Sequence, residues 1–362
     1  MRILVTGGAG FIGSNFTRLL TTKYPTYEVV ILDKLTYAGN LNNLASVLPR
    51  KNCTFIQGDI ADRVVVRQAM QGCDAVVNFA AETHVDRSII SADAFIKTNV
   101  EGTYVLLDTA RKTNVQRFIQ ISTDEVYGNA LSPQGVSRPS LETDAQRPMS
   151  PYAASKAAAD SLAYSYWTTY HLPVIITRCG NNYGPYQYPE KQLPLFILNA
   201  LENRSLPIYG TGSNIRDWIH VYDHAEAIMT LLHADGNTVN GEVFNIGASE
   251  ERTILQNAHI VLQLLEKPQS LIRFVEDRQG HVFRHAVDAS KIKRVCNWQP
   301  ATSFSEGIRQ TVNWYQENSE WIADVNARSS SFLQHALHLA ETREEQFAES
   351  TNLLEEPVQQ KG

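Results

Sequence analysis

Apolar residues gather in short continuous runs through the first half of the chain. Runs at 2–6, 28–32, 53–57, 75–80, 117–122 and 174–178 have the length of buried strands. Between them, polar and apolar positions alternate with helical spacing, as over 91–112, where Phe95, Val100, Leu106 and Leu107 supply an apolar face. Buried strands alternating with helices predict an α/β fold, a doubly wound parallel sheet covered on both faces. The texture changes after residue 179, where "GNNYGPYQYPEKQLP" forms a long loop rich in Gly, Pro, Asn and Tyr. A smaller, interleaved α/β substrate domain is expected from there. The boundaries read as 1–178 for the sheet domain, with 212–246 returning to it. The second domain takes 179–211 and 247–325, and 326–362 is a helical or flexible extension.

Composition narrows the class. Of 362 residues, 43% are hydrophobic and 19% charged, as in ordinary globular proteins. A net charge of −6 argues against binding nucleic acid, which requires a basic surface. Cys53, Cys73, Cys179 and Cys296 are scattered with no CxxC pair, so neither a metal site nor a disulfide framework is expected. The chain opens on a strand-like run and holds no apolar stretch of about 18 residues. These features predict a reduced, cytoplasmic protein with no membrane partner.

"VTGGAGFIGS" places Gly7, Gly10 and Gly13 between the first strand and the first helix. Glycines there let backbone approach a pyrophosphate, and the helix N-terminus offers N–H groups to it. Asp33 ends the next strand, twenty residues after Gly13, where an acid accepts ribose hydroxyls and repels a 2′-phosphate. NAD is therefore expected over NADP, on a Rossmann-type sheet. Asp59, ending the third strand, reads equally as an adenine contact or a turn residue.

Gly-x-x-Gly-x-x-Gly followed by Tyr152-x-x-x-Lys156 in "YAASK" resembles the extended short-chain dehydrogenase/reductase superfamily. Four residues put Tyr152 and Lys156 on one helix face. A phenol of pKa about 10 is a weak base at neutral pH. A lysine ammonium and a positively charged nicotinamide are expected to bring it down. Tyr152 then takes the proton of a sugar hydroxyl while NAD takes hydride, and Thr123 bonds the same hydroxyl.

Beside Thr123 stand Asp124 and Glu125, in "STDEVYG". Epimerisation at C4 has no use for them; 4,6-dehydration does. Once C4 is a ketone, a base can remove the C5 proton, and the C6 hydroxyl needs an acid to leave. Two close carboxyls repel, so one stays protonated while the other ionises. Glu125 as base and Asp124 as acid is a coherent division. The alternatives are a sugar-nucleotide epimerase or decarboxylase on the same scaffold, or a cofactor-sensing regulator. Asp124 argues against the first two, and retention of both Tyr152 and Lys156 against the regulator.

"TGGAGFIGS", "LTYAGN", "NFAAETHVDRS", "STDEVYG", "PYAASKAAAD", "NNYGPYQYPEKQLP", "RDWIHVYDH", "FNIGASEE" and "DRQGH" together resemble the dTDP-glucose 4,6-dehydratases over roughly 1–315. The resemblance implies a homodimer, NAD as cofactor and dTDP-glucose as substrate, with UDP-glucose as the rival. It implies catalysis by Thr123, Asp124, Glu125, Tyr152 and Lys156. Cofactor contacts implied are Gly7, Gly10, Phe11, Ile12, Gly13, Asp33, Lys34, Thr36, Asp59, Ile60, Ala80, Thr98, Tyr152 and Lys156. Glu82, His84, Asn181, Glu190, Lys191 and His281 are expected near the sugar or phosphates, Arg216 and Arg278 at the pyrophosphate, and Pro207 and Tyr209 at the base. Two positions depart from the family pattern: Ile254 replaces an Asn, and His285 a Tyr.

Overall fold

The computed structural model describes residues 1–131, 134–277 and 280–328. Met1–Glu317 form one compact unit; Asn318 begins a second, helical over 319–328. Arg278 and most of the expected extension, 329–362, lie outside the described residues.

Among the described residues, thirteen strands run in chain order: β1 (Arg2–Thr6), β2 (Glu28–Asp33), β3 (Cys53–Gln57), β4 (Ala75–Asn78), β5 (Arg117–Thr123), β6 (Val174–Cys179), β7 (Asn181–Tyr183), β8 (Leu206–Tyr209), β9 (Ile215–His220), β10 (Val243–Ile246), β11 (Glu251–Thr253), β12 (Ile272–Val275) and β13 (Arg284–His285). The helices are α1 (Phe11–Lys23), α2 (Arg63–Met70), α3 (Val85–Ile90), α4 (Asp93–Phe95), α5 (Thr103–Lys112), α6 (Pro151–Tyr170), α7 (Gln192–Leu201), α8 (Val221–His233), α9 (Gly236–Val239), α10 (Ile254–Leu264), α11 (Ser290–Cys296) and α12 (Phe304–Glu317).

Seven strands form a parallel sheet in the order β10-β6-β5-β4-β1-β2-β3. Alternate residues of β1 divide between its faces: Ile3 and Val5 join a core that includes Phe16 and Leu20 of α1 and Ile228 of α8, while Leu4 joins one that includes Val66 of α2, Leu106 of α5 and Ala163 of α6. The chain reverses direction of winding between β1 and β4, which opens the crevice where such sheets bind ligands. β9 centres a second sheet with β7, β11 and β13, and β8 pairs with β12. Thus β10 from the 212–246 stretch lies in the large sheet, and β9 from the same stretch lies in the smaller one.

The helical stretch expected over 91–112 begins at Asp93, and Ile96–Gly102 winds as a π-helix before α5. The wider turn lets buried Asn99 point inward, where Oδ1 accepts the Glu82 N–H at 2.9 Å and Nδ2 donates to Ser155 Oγ at 2.8 Å. Such segments are rare and recur at functional sites. The strand expected over 75–80 stops at Asn78, whose amide donates to Gln120 Oε1 at 2.8 Å and whose Oδ1 accepts from Thr6 at 2.5 Å.

Candidate active site

β5 ends on Thr123 and passes into a 3₁₀ turn, Asp124–Tyr127. Thr123 caps that turn: its Oγ1 accepts the Glu125 N–H at 3.3 Å and donates to Asp124 Oδ1 at 3.3 Å. α6 starts where Ser150 Oγ accepts the Ala153 N–H at 3.1 Å and Pro151 takes the first helical position, where its missing N–H costs nothing. This start sets Tyr152 and Lys156 one turn apart, facing β5. Lys156 Nζ donates to the Ile121 carbonyl at 2.6 Å, and Tyr152 shares a hydrogen bond with the Thr123 side chain. Thr123, Asp124, Tyr152 and Lys156 are buried, while Glu125 is partly exposed and lines the open cleft.

Burial, then the charge of Glu125 and that of Asp217, pushes the Asp124 carboxyl well above its usual range, against Arg216 and Thr123. Asp124 Oδ2 finds no hydrogen-bond partner among the described residues. A carboxyl so placed favours its protonated form. Burial first, then Glu125 and Cys179, pushes the Tyr152 phenol well above its usual value, against its hydrogen bond with Thr123. The lowering expected of it belongs to the site with a positively charged nicotinamide beside it. Burial also lowers Lys156, opposed by Asp160 and Cys179.

The glycine loop shapes a groove at the crevice. Gly7 has φ +66°, and a Cβ there would lie 2.6 Å from Ala80 N; one on Gly13 would lie 2.3 Å from Gly7 O. A Cβ on Gly10 would meet only Gly7 O, at 3.2 Å, so this side of the loop stays open. Gly7, Gly10, Asp33, Lys34, Thr36, Asp59, Ile60, Ala80, Glu82 and Thr98 line the groove, and Phe11, Ile12 and Gly13 begin α1 beside it. Asp33 accepts the Ala9 and Leu35 N–H groups, at 2.9 and 2.8 Å, so it serves its own loop as well as facing the groove. Burial raises Asp33 despite those two bonds. Asp59 behaves oppositely. Burial would raise it, but the Lys34 ammonium at 2.8 Å and the Ala61 N–H hold it low. A cradle free of side chains, a helix N-terminus and an acid ending β2 fit a dinucleotide such as NAD.

A second cleft, about 460 Å³, opens beyond Glu125. His84, Asn181, Glu190, Lys191, Pro207, Tyr209, Arg216 and His281 all line it, as do Ile254 and His285; Glu82 faces the cofactor groove instead. Arg216 and Asp217 are adjacent in β9 and so point to opposite faces. Asp217 accepts the Glu250 N–H at 2.9 Å, while Arg216 donates to the carbonyls of Ile215, Val282 and Phe283. Arg216 thus joins the cleft wall on the opposite face of β9 from Asp217.

Several neighbours of these residues escaped the sequence reading. Arg178 donates to Asp160 at 2.9 Å and to the Tyr127 hydroxyl at 2.9 Å, tying α6 to the turn that carries Asp124 and Glu125. Asp160 follows Lys156 by four residues, a spacing that signals a shared helix face. Arg87 and Tyr37 both engage Glu190. Asn99 and Cys179 carried no periodic or motif signal.

The chain matches the GDP-mannose 4,6 dehydratase family over residues 4–311. It is 47% identical over 325 residues to a dTDP-glucose 4,6-dehydratase of Streptomyces niveus, covering 89% of this chain and 94% of that one. It is 46% identical to dTDP-glucose 4,6-dehydratase 1 of Escherichia coli K12, covering 90% and 96%. Its structure is similar to that of the dTDP-glucose 4,6-dehydratase DesIV from Streptomyces venezuelae, solved with NAD and TYD bound. The TM-score is 0.84 and the identity 47%, over 89% of this chain and 98% of the other.

Proposed function

Because this chain belongs to the dTDP-glucose 4,6-dehydratase family, we propose a specific division of labour among its active-site residues. The enzyme is a hydro-lyase that converts dTDP-glucose into the 4-keto-6-deoxy sugar nucleotide. Bound NAD supplies the hydride acceptor for C4 and the donor for C6. Tyr152, steadied by Thr123 and Lys156, takes the proton of the C4 hydroxyl as that carbon is oxidised. The C4 ketone acidifies the C5–H, and Glu125 removes that proton. Asp124 delivers its own proton to the C6 hydroxyl, which leaves as water. A proton returns to C5 as C6 is reduced, and the cofactor ends in its starting state.

The observation that carries this reading is the unequal setting of the carboxyl pair. Asp124 is buried with a raised pKa, and Glu125 opens to the cleft. A buried acid that favours its proton, beside a second carboxyl open to the cleft, is an arrangement that elimination needs and epimerisation does not. Arg216 is suited to a pyrophosphate, and Pro207 and Tyr209 to a base. We place the sugar nucleotide in the cleft formed largely from 179–211 and 247–325. Exposed Tyr104 on α5 and Tyr164 and Tyr170 on α6 support a homodimer across those helices. No helix among the described residues is long and apolar enough to cross a membrane, and the cytoplasm is the compartment we propose.

The test is incubation with dTDP-glucose and, separately, UDP-glucose, with mass spectrometry for loss of one water and absorbance for reduced cofactor. Water loss from dTDP-glucose without accumulation of reduced cofactor is expected. Ile254 and His285 line the cleft, so UDP-glucose is the informative competitor. An epimer without water loss refutes the roles given to Asp124 and Glu125. Tyr152→Phe should abolish oxidation at C4, whereas Asp124→Asn should spare it.

A further inference from the structure

The cofactor loop and the sugar-nucleotide cleft meet at Tyr37. The chain turns tightly after Asp33, with Gly39 N–H donating to Thr36 O at 3.1 Å, and Thr36 and Ala38 line the cofactor groove. Tyr37, between them, reaches the other way. Its ring meets Tyr188 edge-on, with centroids 5.4 Å apart, and the Arg87 guanidinium lies 3.9 Å above it. Its hydroxyl hydrogen-bonds Glu190, which also receives Arg87 Nη2 at 3.0 Å and lies 3.9 Å from His84 Nε2. Next along the chain, Lys191 Nζ donates to the Thr83 carbonyl at 2.9 Å. Glu190 was expected to meet the substrate, yet its carboxylate is already engaged by Tyr37 and Arg87. Burial, then the charges of Glu190 and Glu82, pushes the Tyr37 phenol far above neutrality, so it remains a donor.

Resting on the dehydratase assignment, we propose that Tyr37, Arg87 and Glu190 form a latch joining the two binding sites. They position the cofactor loop from the substrate side, so that an occupied cleft slows cofactor release. Glu190 is then a positioning residue and not a sugar ligand. The reaction gives this role a purpose. The hydride stored after C4 oxidation must return to the same sugar, so the cofactor must stay until C6 is reduced.

The experiment follows NAD retention rather than turnover. Native protein, Tyr37→Phe and Glu190→Gln are loaded with NAD, and its release on dilution is timed with and without dTDP. Each variant should release NAD about tenfold faster, the effect of one lost hydrogen bond to a charged group. dTDP should slow release from the native protein but not from the variants. The double variant should fall short of the sum of the two singles, since both disturb the Tyr37–Glu190 contact. Arg87→Lys keeps the charge but loses the planar stack, and substitutes for a variant that fails to fold. Unchanged NAD release, with Glu190→Gln weakening dTDP-glucose binding and Tyr37→Phe silent, overturns the latch in favour of direct sugar contact. Native dehydration of dTDP-glucose is measured first. Its absence defeats the assigned reaction, whereas native dehydration with variants that retain NAD normally defeats the latch alone.

Discussion

Replacing Asp124 with Asn should make the protein more stable at neutral pH while crippling water elimination. The amide matches the carboxyl in shape and stays neutral, so the difference between the two proteins is mainly the linkage of folding to one proton. Asp124 is 3% exposed, and burial followed by Glu125 raises its folded pKa. Between the unfolded value and that higher one, the unfolded chain has lost the proton and the folded chain has kept it. Native stability must therefore fall as pH rises through this window, by up to about 1.4 kcal/mol per pH unit, and then level off. Asp124→Asn lacks this loss. Urea unfolding at closely spaced pH values should show the two proteins converging below the unfolded carboxyl value, about pH 4, and diverging above it, with the variant ahead. In parallel, loss of a general acid should cut elimination by about 10²- to 10⁴-fold. Exchange of the C5 proton with deuterated solvent should continue, because Glu125 is intact. A stability difference independent of pH, or elimination within tenfold of native, refutes the reasoning.

Gly13→Ala should weaken NAD binding and cost about 1–3 kcal/mol of stability, since its Cβ would sit 2.3 Å from Gly7 O; calorimetry and NAD titration check both effects. Arg178→Met should cost about 3–5 kcal/mol by leaving buried Asp160 without its charged partner. Adding Asp160→Leu should recover the larger part, measured by chemical denaturation. His224 is fully buried, its Nδ1 2.8 Å from Asn182 Oδ1, and burial lowers its pKa to about 3. Its folded pKa is depressed, so its contribution is present above the unfolded value near pH 6.5 and is lost as pH falls toward about 3. The loss approaches 1.4 kcal/mol per unit, and His224→Gln should flatten that limb of the stability profile.

The large sheet was legible because its inner strands are buried on both faces and so read as continuous apolar runs, with the half-buried edge strand β3 still carrying Phe55 and Ile56. Cys53–Gln57 and Arg2–Thr6 coincide with the expected bounds. β7, β11 and β13 were not identified individually. They are two or three residues long and are held mainly by pairing around β9, a long-range contact with no local pattern. The catalytic candidates were legible because glycine at a close approach, and Tyr and Lys one turn apart, are demands of local geometry. The electrostatics were less so. The Tyr152 phenol rises because the folded chain buries it beside carboxylates, and four-residue spacing to a lysine says nothing of that burial. Glu190 shows the same gap: its place beside the cleft was expected from its motif, while its engagement by Tyr37, 153 positions away, follows only from the fold.

The π-turn at Ile96–Gly102 sets a rule for length rather than composition. In effect it is an α-helix holding one extra residue. Deleting one residue from it would let the chain wind as an ordinary helix with the flanking turns still in phase. Phe95, whose ring stands edge-on to Tyr152 with centroids 6.2 Å apart, would keep its place against α5, while Thr98 and Asn99 could not both keep their directions. Exposed Lys97 and Glu101 face none of these constraints. Losing the one extra residue should therefore spare the flanking helix and cost the inward contacts of Asn99.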